Sequence, residues 1–302
     1  MFNKSFLVNK LVNSLLSKQF QVLLSEGCFN IAAKKEELLL IKSLINVDSL
    51  NEEQALSLKS ISYFLSAYPL VVSVKTNREF LSDETIYSRF QLPVLTPTLF
   101  DNFLKEESIP SIQSSRGKHT VAINTEELRT KRKQLGFSLQ ELSQLIGISK
   151  KALYEIEKKR VNPTQETVKK LETILRIDLK KSYELQSPEK TYLKPKNEFQ
   201  QEVSKEFKRI GIDNSAVYSA PFEIVGMEKL PLITTLSKNG FKIKKEATIV
   251  KKLSSIFSSK AVFVAKISRE ESVEGIPVVL ESELPDIEST KEFDKVLKEK
   301  QD

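Results

Sequence analysis

The run Ser149-Lys150-Lys151-Ala152-Leu153-Tyr154-Glu155-Ile156-Glu157-Lys158-Lys159-Arg160 places cations at both ends of one short stretch. Lysine and arginine so spaced suit electrostatic rather than covalent chemistry, namely the holding of phosphates. Ser149, ahead of an apolar-periodic run, is the expected N-cap of a helix over about 150–158. The start of that helix combines unpaired backbone N–H groups with Lys150 and Lys151. Lys158, Lys159 and Arg160 lie at its far end. Flanking cations match phosphates on both sides of a groove while the helix between them reads base edges.

Such a helix needs elements to present it. Ser138 and Glu141 have the spacing of a capping box and open a preceding helix at about 139–146. Gly147 ends it, because a left-handed turn is cheap only for glycine. Gly136 follows "EELRTKRKQL" as a helix-terminating residue, and Pro163-Thr164 precede a last helix, "QETVKKLETIL". Leu128, Leu135, Phe137, Leu142, Ile146, Ile148, Leu153, Ile156, Val168, Leu171 and Leu175 recur at helical spacing and predict one small core. Two short helices held at a fixed angle by such a core make a helix-turn-helix.

The charge distribution points the same way. Residues 124–181 hold fourteen Lys and Arg against eight Asp and Glu, while the other 244 residues carry a net charge of only about +1. A basic excess confined to one segment marks a polyanion-binding module. Cys28 is the single cysteine and reads as a small buried residue in a reducing compartment. His119 is the single histidine and reads as a linker residue, which disfavours histidine-rich metal sites and Cys–His nucleophile pairs. No cofactor is expected. No apolar run reaches the ~18 residues of a membrane span, and the N-terminal stretch alternates at helical spacing, so the expectation is a cytoplasmic, nucleoid-associated protein with no membrane partner.

The segment "LRTKRKQLGFSLQELSQLIGISKKALYEIEKKR" resembles the phage-repressor/Cro-like helix-turn-helix family, over about 124–178. The whole arrangement also resembles an archaeal group of helix-turn-helix transcriptional regulators. The resemblance implies base reading by Lys150, Lys151 and Glu155, with Ser149 nearer the backbone. Where the family commonly has Gln at the start of its second helix this chain has Leu139, so Gln140 or Ser138 takes over that polar contact. Tyr154 has two open roles, stacking on or contacting the DNA, and packing. The family also pairs the position of Glu157 with an arginine that maps to Arg132. Glu157 near a helix C-terminus needs a compensating cation, and Arg132 lies beside the apolar stripe of the first helix, so a partly buried salt bridge is expected.

The chain flanking this module is read as two related blocks, 1–107 and 199–302, joined to the central 124–181 by linkers at 108–123 and 182–198. "CFNIAAKK" (28–35) aligns with "PFEIVGME" (221–228), "ELLLIKSL" (37–44) with "KLPLITTL" (229–236), and "LPVL" (92–95) with "IPVV" (276–279). The ordered series indicates an internal duplication. Each copy shows two strands, a crossover helix and further strands, giving a multidomain α+β chain with a central all-α helix-turn-helix between two α/β domains. This skeleton is similar to the restriction-endonuclease-like fold. That resemblance implies an Asp on one strand and Glu-x-Lys on the next, holding Mg²⁺. The matching positions here are Asn30, Leu40 and Lys42 in one copy and Glu223, Leu232 and Thr234 in the other. A leucine cannot ligate a hard cation, so both copies are expected to be degenerate.

Three functions fit these residues. The first is a sequence-specific, DNA-binding transcriptional regulator acting on double-stranded DNA as a homodimer, its outer domains dimerising or sensing an unknown effector or protein partner. The second is a coactivator or complex subunit that bridges DNA and another protein. The third, a nuclease-like enzyme, is opposed by the missing acids.

Overall fold

Asn3, Asn51, Thr96, Asn124, Ser138, Ser149, Thr164, Asn197 and Ser289 each accept a hydrogen bond from the backbone N–H three residues on, and each opens a helix. A short polar side chain there satisfies a donor that the helix itself leaves unpaired. The computed structural model describes residues 3–105, 112–115, 118–181, 185–186 and 188–301.

The chain begins α1(Lys4–Ser17), β1(Gln21–Leu24), β2(Ile31–Lys34), β3(Leu38–Asn46), α2(Glu52–Phe64), β4(Tyr68–Lys75), β5(Ile86–Arg89), β6(Leu92–Leu95) and α3(Pro97–Leu104). Two strands follow, β7(Ile112–Ser115) and β8(Lys118–Val121), then α4(Thr125–Gln134), α5(Leu139–Ile146), α6(Lys150–Glu157) and α7(Gln165–Leu175). The chain ends α8(Glu198–Arg209), β9(Asp213–Ala216), β10(Ile224–Met227), β11(Pro231–Ser237), α9(Phe241–Phe257), β12(Lys260–Ala265), β13(Ser272–Val273), β14(Ile276–Leu280) and α10(Thr290–Glu299). The last series repeats the first element for element, and "LPVL" and "IPVV" fall on the equivalent strands β6 and β14. Each copy also opens with a helix and a strand, α1–β1 and α8–β9, ahead of the two strands read from the sequence.

These elements fold as two compact units, residues 1–72 with 186–302, and residues 73–185. The units do not coincide with the sequence blocks, because the first block divides after Val72. In the first unit the strands run in the order β1-β2-β3-β4, and a second sheet runs β13-β14-β12-β11-β10-β9. β1, β2 and β3 are antiparallel neighbours. β11, β12 and β14 are parallel, with α9 as the crossover between β11 and β12. β3 from Leu38 to Ser43 and β11 beyond Pro231 are buried, as strands covered on both faces must be.

Within this unit helices of each copy also pack on strands of the other, α9 while it covers its own β11 and β12. α2 packs on β9 and β10, and α9 packs on β1 and β2. Phe29 and Phe222, equivalent in the two copies, both meet Phe257 edge-on, at 6.2 and 6.4 Å between ring centres. Cys28 is fully buried, its N–H donates to the Ser219 carbonyl at 2.6 Å, and burial pushes its thiol up to about 12. Gly27 beside it has φ +112°, and a Cβ there would lie 1.7 Å from the Ser219 oxygen. Only glycine permits that approach of one copy to the other.

The second unit holds strands β6-β5-β7-β8 in order, followed by α4 to α7. Part of the segment read as a linker, 108–123, is therefore paired strand. β7 and β8 form an antiparallel hairpin with His119 opposite Ser114, while residues 108–111 and 116–117 lie outside the described residues. The Ser-rich composition, with its Pro and Gly, concealed strands whose backbone groups pair with each other. In the segment 182–198, residues 188–197 carry no helix or strand, and Glu198 begins α8. Leu193 is buried there, its N–H donating to Ser215 Oγ at 2.8 Å. Residues 182–184 and 187 lie outside the described residues. Among the described residues no helix is long and apolar enough to cross a membrane.

Candidate nucleic-acid interface

The four helices α4 to α7 enclose one core, built from Leu128, Leu142, Ile146, Leu153, Ile156, Val168, Leu171 and Leu175. Val121, Ile123 and Leu179 belong to it as well. Val121 N–H donates to the Pro163 carbonyl at 2.9 Å, and Asn124 N–H to the Leu179 carbonyl at 2.8 Å, so β8 and the residues after α7 lace the module shut. The alternation Val121-Ala122-Ile123 was the sequence signal for this. Phe137 and Ile148 pack against the core from its edge. Leu135, expected in the core, is 46% exposed. α4 has already ended there. The N–H groups of Gly136 and Phe137 return to the carbonyls of Lys133 and Arg132, a C-terminal motif that turns the chain away before Leu135 completes the buried stripe.

α5 begins with the capping box. Ser138 Oγ accepts from Glu141 N–H at 3.1 Å, and Glu141 Oε2 accepts from Ser138 N–H at 2.8 Å. These bonds hold the Glu141 carboxyl below the usual carboxylate range. Gly147 closes the helix at φ 78°. Leu139 packs against the core, which leaves Gln140 as the exposed side chain at the start of α5. Ser149 Oγ then accepts from Ala152 N–H at 3.1 Å and fixes the start of α6.

α6 buries only Leu153 and Ile156. Lys150, Lys151 and Tyr154 are exposed, and neither lysine forms an ion pair among the described residues. Lys158 Nζ lies 5.8 Å from the Tyr154 ring centre. The other charged side chains are engaged within the protein. Arg160 Nη1 is 3.2 Å from the Glu155 carboxylate, and Lys159 Nζ is 2.9 Å from Glu126 in the first turn of α4. The Lys159 pair is largely exposed, 60% and 82% for its two side chains, so exchange of its carboxylate for another anion has little energetic cost.

Beneath this surface Arg132 and Glu157 form a bidentate pair. Arg132 Nε and Nη2 donate to the two Glu157 oxygens at 2.6 and 3.0 Å, and Nη1 donates to the Phe137 carbonyl at 2.9 Å. The side chains are 9% and 6% exposed. One interaction thus ties α4, the α4–α5 turn and the last turn of α6 together. Planar fork-to-fork geometry fixes orientation as well as distance.

The nuclease positions in the other unit are built differently. Asn30 is 5% exposed and its Oδ1 accepts from Ser43 N–H at 3.0 Å. Leu40 is fully buried, and Lys42 is 3% exposed with its ammonium donating to the Gly27 carbonyl. In the second copy Glu223 accepts from Leu236 N–H at 2.8 Å and pairs with Lys242. Burial holds the Glu223 carboxyl above its ordinary range, against the pull of Lys242. Leu232 and Thr234 are buried. A divalent cation needs several hard oxygens; these positions supply one amide oxygen in the first copy, taken by Ser43 N–H, and one carboxylate and one hydroxyl in the second, the carboxylate already held by Leu236 N–H and Lys242. Among the described residues no group of three or more His, Cys, Asp or Glu is placed to hold a metal. The Mg²⁺ of the nuclease family does not fit these residues.

Known proteins match both regions. Residues 4–110 match a family described as a PD-(D/E)XK superfamily domain, and residues 128–181 one described as helix-turn-helix. A relative from Archaeoglobus fulgidus is 30% identical over 97% of this chain and 97% of its own. Another from Methanothermobacter thermautotrophicus is 30% identical over 91% of this chain and 89% of its own. Both carry the name "putative HTH-type transcriptional regulatory protein". No solved structure matches the chain significantly. With relatives that share almost its whole length, and with the helix-turn-helix in sequence between a nuclease-like N-terminal domain and a second sheet domain, the chain belongs to this family of HTH-type transcriptional regulatory proteins.

Proposed function

We propose that the protein is a sequence-specific transcriptional regulator that lays α6 in the major groove of double-stranded DNA. The observation that carries this reading is the pair Lys150 and Lys151, exposed and, among the described residues, without ion pairs at the start of a helix that Ser149 caps. Lys150, Lys151 and Glu155 are the base readers, Glu155 after release from Arg160. Ser138, Gln140, Ser149 and Tyr154 serve the near phosphate strand, and Lys158, Lys159 and Arg160 the far one. Phosphate contacts of this kind set register and base contacts set sequence. One module reads one half-site, so a homodimer supplies the second. The faces around Phe29 and Phe222 are already used between the two internal copies of one chain, so the partner subunit docks elsewhere. The duplicated unit acts as a scaffold rather than an enzyme, a reading supported by Leu40 and Leu232 at the positions of acids.

Selection of bound duplexes from random-sequence DNA tests this. The expected result is a two-fold-related motif with half-sites about one helical turn apart or a multiple of it. Recovery of unrelated sequences at equal affinity overturns sequence specificity and favours a protein that tethers to DNA for another purpose.

A further inference from the structure

A cavity of about 650 Å³ opens in the duplicated unit, walled by the start of α1, the turn after β1 and the outer face of α9. That volume falls in the range of small-molecule pockets. Asn30 sits in its wall, 95% buried. Ser43 N–H occupies Asn30 Oδ1 at 3.0 Å, which leaves Nδ2 with no acceptor among the described residues. Nδ2 is not among the buried polar atoms that lack a partner, so it is a donor open to whatever enters the cavity. Four charged side chains ring the same cavity, Lys4 and Lys245 of one sign and Glu26 and Glu246 of the other. None of the four forms an ion pair among the described residues. Val8, Leu24 and Ile249 supply an apolar stretch of wall.

The charge count discriminates between ligand classes. A nucleotide or inorganic phosphate brings negative charge that Glu26 and Glu246 oppose. A free amine brings positive charge that Lys4 and Lys245 oppose. A zwitterion satisfies both pairs at once. We infer that this cavity binds a free α-amino acid with an apolar side chain. Its carboxylate meets Asn30 Nδ2, Lys4 and Lys245, its ammonium meets Glu26 and Glu246, and its side chain lies on Val8, Leu24 and Ile249. The ligand touches α1 of one copy and α9 of the other, so its arrival changes how the copies are held together. As an input to transcription the site rests on the regulatory reading above; as a binding site it does not.

Calorimetry and thermal melts on the full chain without DNA test it independently of that reading. The probes are leucine, isoleucine, valine, methionine and phenylalanine. 4-Methylpentanoate and 3-methylbutylamine serve as the two halves of the zwitterion, and inorganic phosphate and adenosine monophosphate as anions. The expected result is one site per chain for at least one amino acid, a raised Tm at saturation, and affinities for the half-molecules about tenfold or more weaker. Lys245→Ala and Glu26→Ala change exposed residues and fold normally, and each weakens binding by about tenfold. Asn30→Asp keeps the acceptor for Ser43 and removes the donor, with the same effect on affinity. The inference is overturned if no amino acid in the set binds at millimolar concentration, or if binding is unchanged in Lys245→Ala and Glu26→Ala. It is equally overturned if phosphate or the nucleotide binds there instead.

Discussion

Lys42 and Lys150 each stand where a family pattern puts a working cation, and their surroundings differ throughout. Lys42 is buried on β3, with its ammonium turned to the Gly27 carbonyl and its pKa lowered by desolvation. Lys150 is exposed at the first position of α6 and forms no ion pair among the described residues. The Lys42 ammonium is spent on a backbone carbonyl, and the acids of the nuclease pattern have given way to Asn30 and Leu40. Around Lys150 the protein's own groups hold the helix, through Ser149, Ala152 and the Arg132–Glu157 pair, and leave the cations for a partner. Acids can be replaced while a fold persists, because buried apolar strands carry the fold and a few polar residues carry a reaction. The helix-turn-helix has both its core and its exposed cations.

The largest effect is expected where the duplicated copies touch. Gly27→Ala forces a Cβ onto the Ser219 oxygen from a backbone conformation that alanine rarely adopts. A loss of about 3 kcal/mol or more is expected, seen as a collapsed melting temperature or insoluble protein. A wild-type melt shows that the copies are not locked together at this point. Next is Glu157→Ala, which strands a buried arginine. Amide exchange across α4 to α7 is expected to report about 3 kcal/mol less protection, with weaker DNA binding although no DNA contact is touched. Unchanged exchange reduces the pair to a surface ornament and removes the internal support that distinguishes this module from the nuclease-like site.

How far each region could be read in advance follows from where its information lies. The module was legible because its signals are local: Ser138 and Glu141 three apart, Gly147 after an apolar face, and Ser149 before the next one. α5 begins and ends on those residues, and α6 begins on Ser149. Val121, Ile123 and Leu179 escaped because they join the core through β8 and the tail of α7, and their pairing partners lie about forty to sixty residues away in the chain. Leu135 was misplaced because periodicity does not show where a helix ends. In the other unit the ordered matches between "CFNIAAKK" and "PFEIVGME" disclosed the duplication. They did not disclose that α2 and α9 cross between copies. These contacts are tertiary, marked for α9 by Phe29 and Phe222 both meeting Phe257, with nothing local to announce them.

Two smaller changes sharpen the contrast. Ser149→Ala removes the cap of α6 and is expected to cost about 1 kcal/mol of stability, while also weakening DNA binding through a looser helix start. Equal stability in thermal denaturation contradicts the role given to this cap. Lys159 has φ 60°, a left-handed conformation at the end of α6. Lys159→Gly relieves it and is expected to stabilise the module by about 0.5 kcal/mol, since the exposed pair with Glu126 contributes little. The same change is expected to lower the salt dependence of DNA binding by about one phosphate contact. Stability and affinity moving together rather than apart counts against Lys159 as a phosphate contact.

The most direct measurement is the affinity of Lys150→Ala/Lys151→Ala for the duplex that the wild-type protein selects, taken beside circular dichroism of the same samples. Both lysines are exposed, so the fold is expected to be unchanged. Specific affinity is expected to fall by about 2 kcal/mol or more, roughly thirtyfold, while weak binding to unrelated DNA persists. An affinity within about twofold of wild type, equivalent to about 0.4 kcal/mol, contradicts the placing of α6 in the groove.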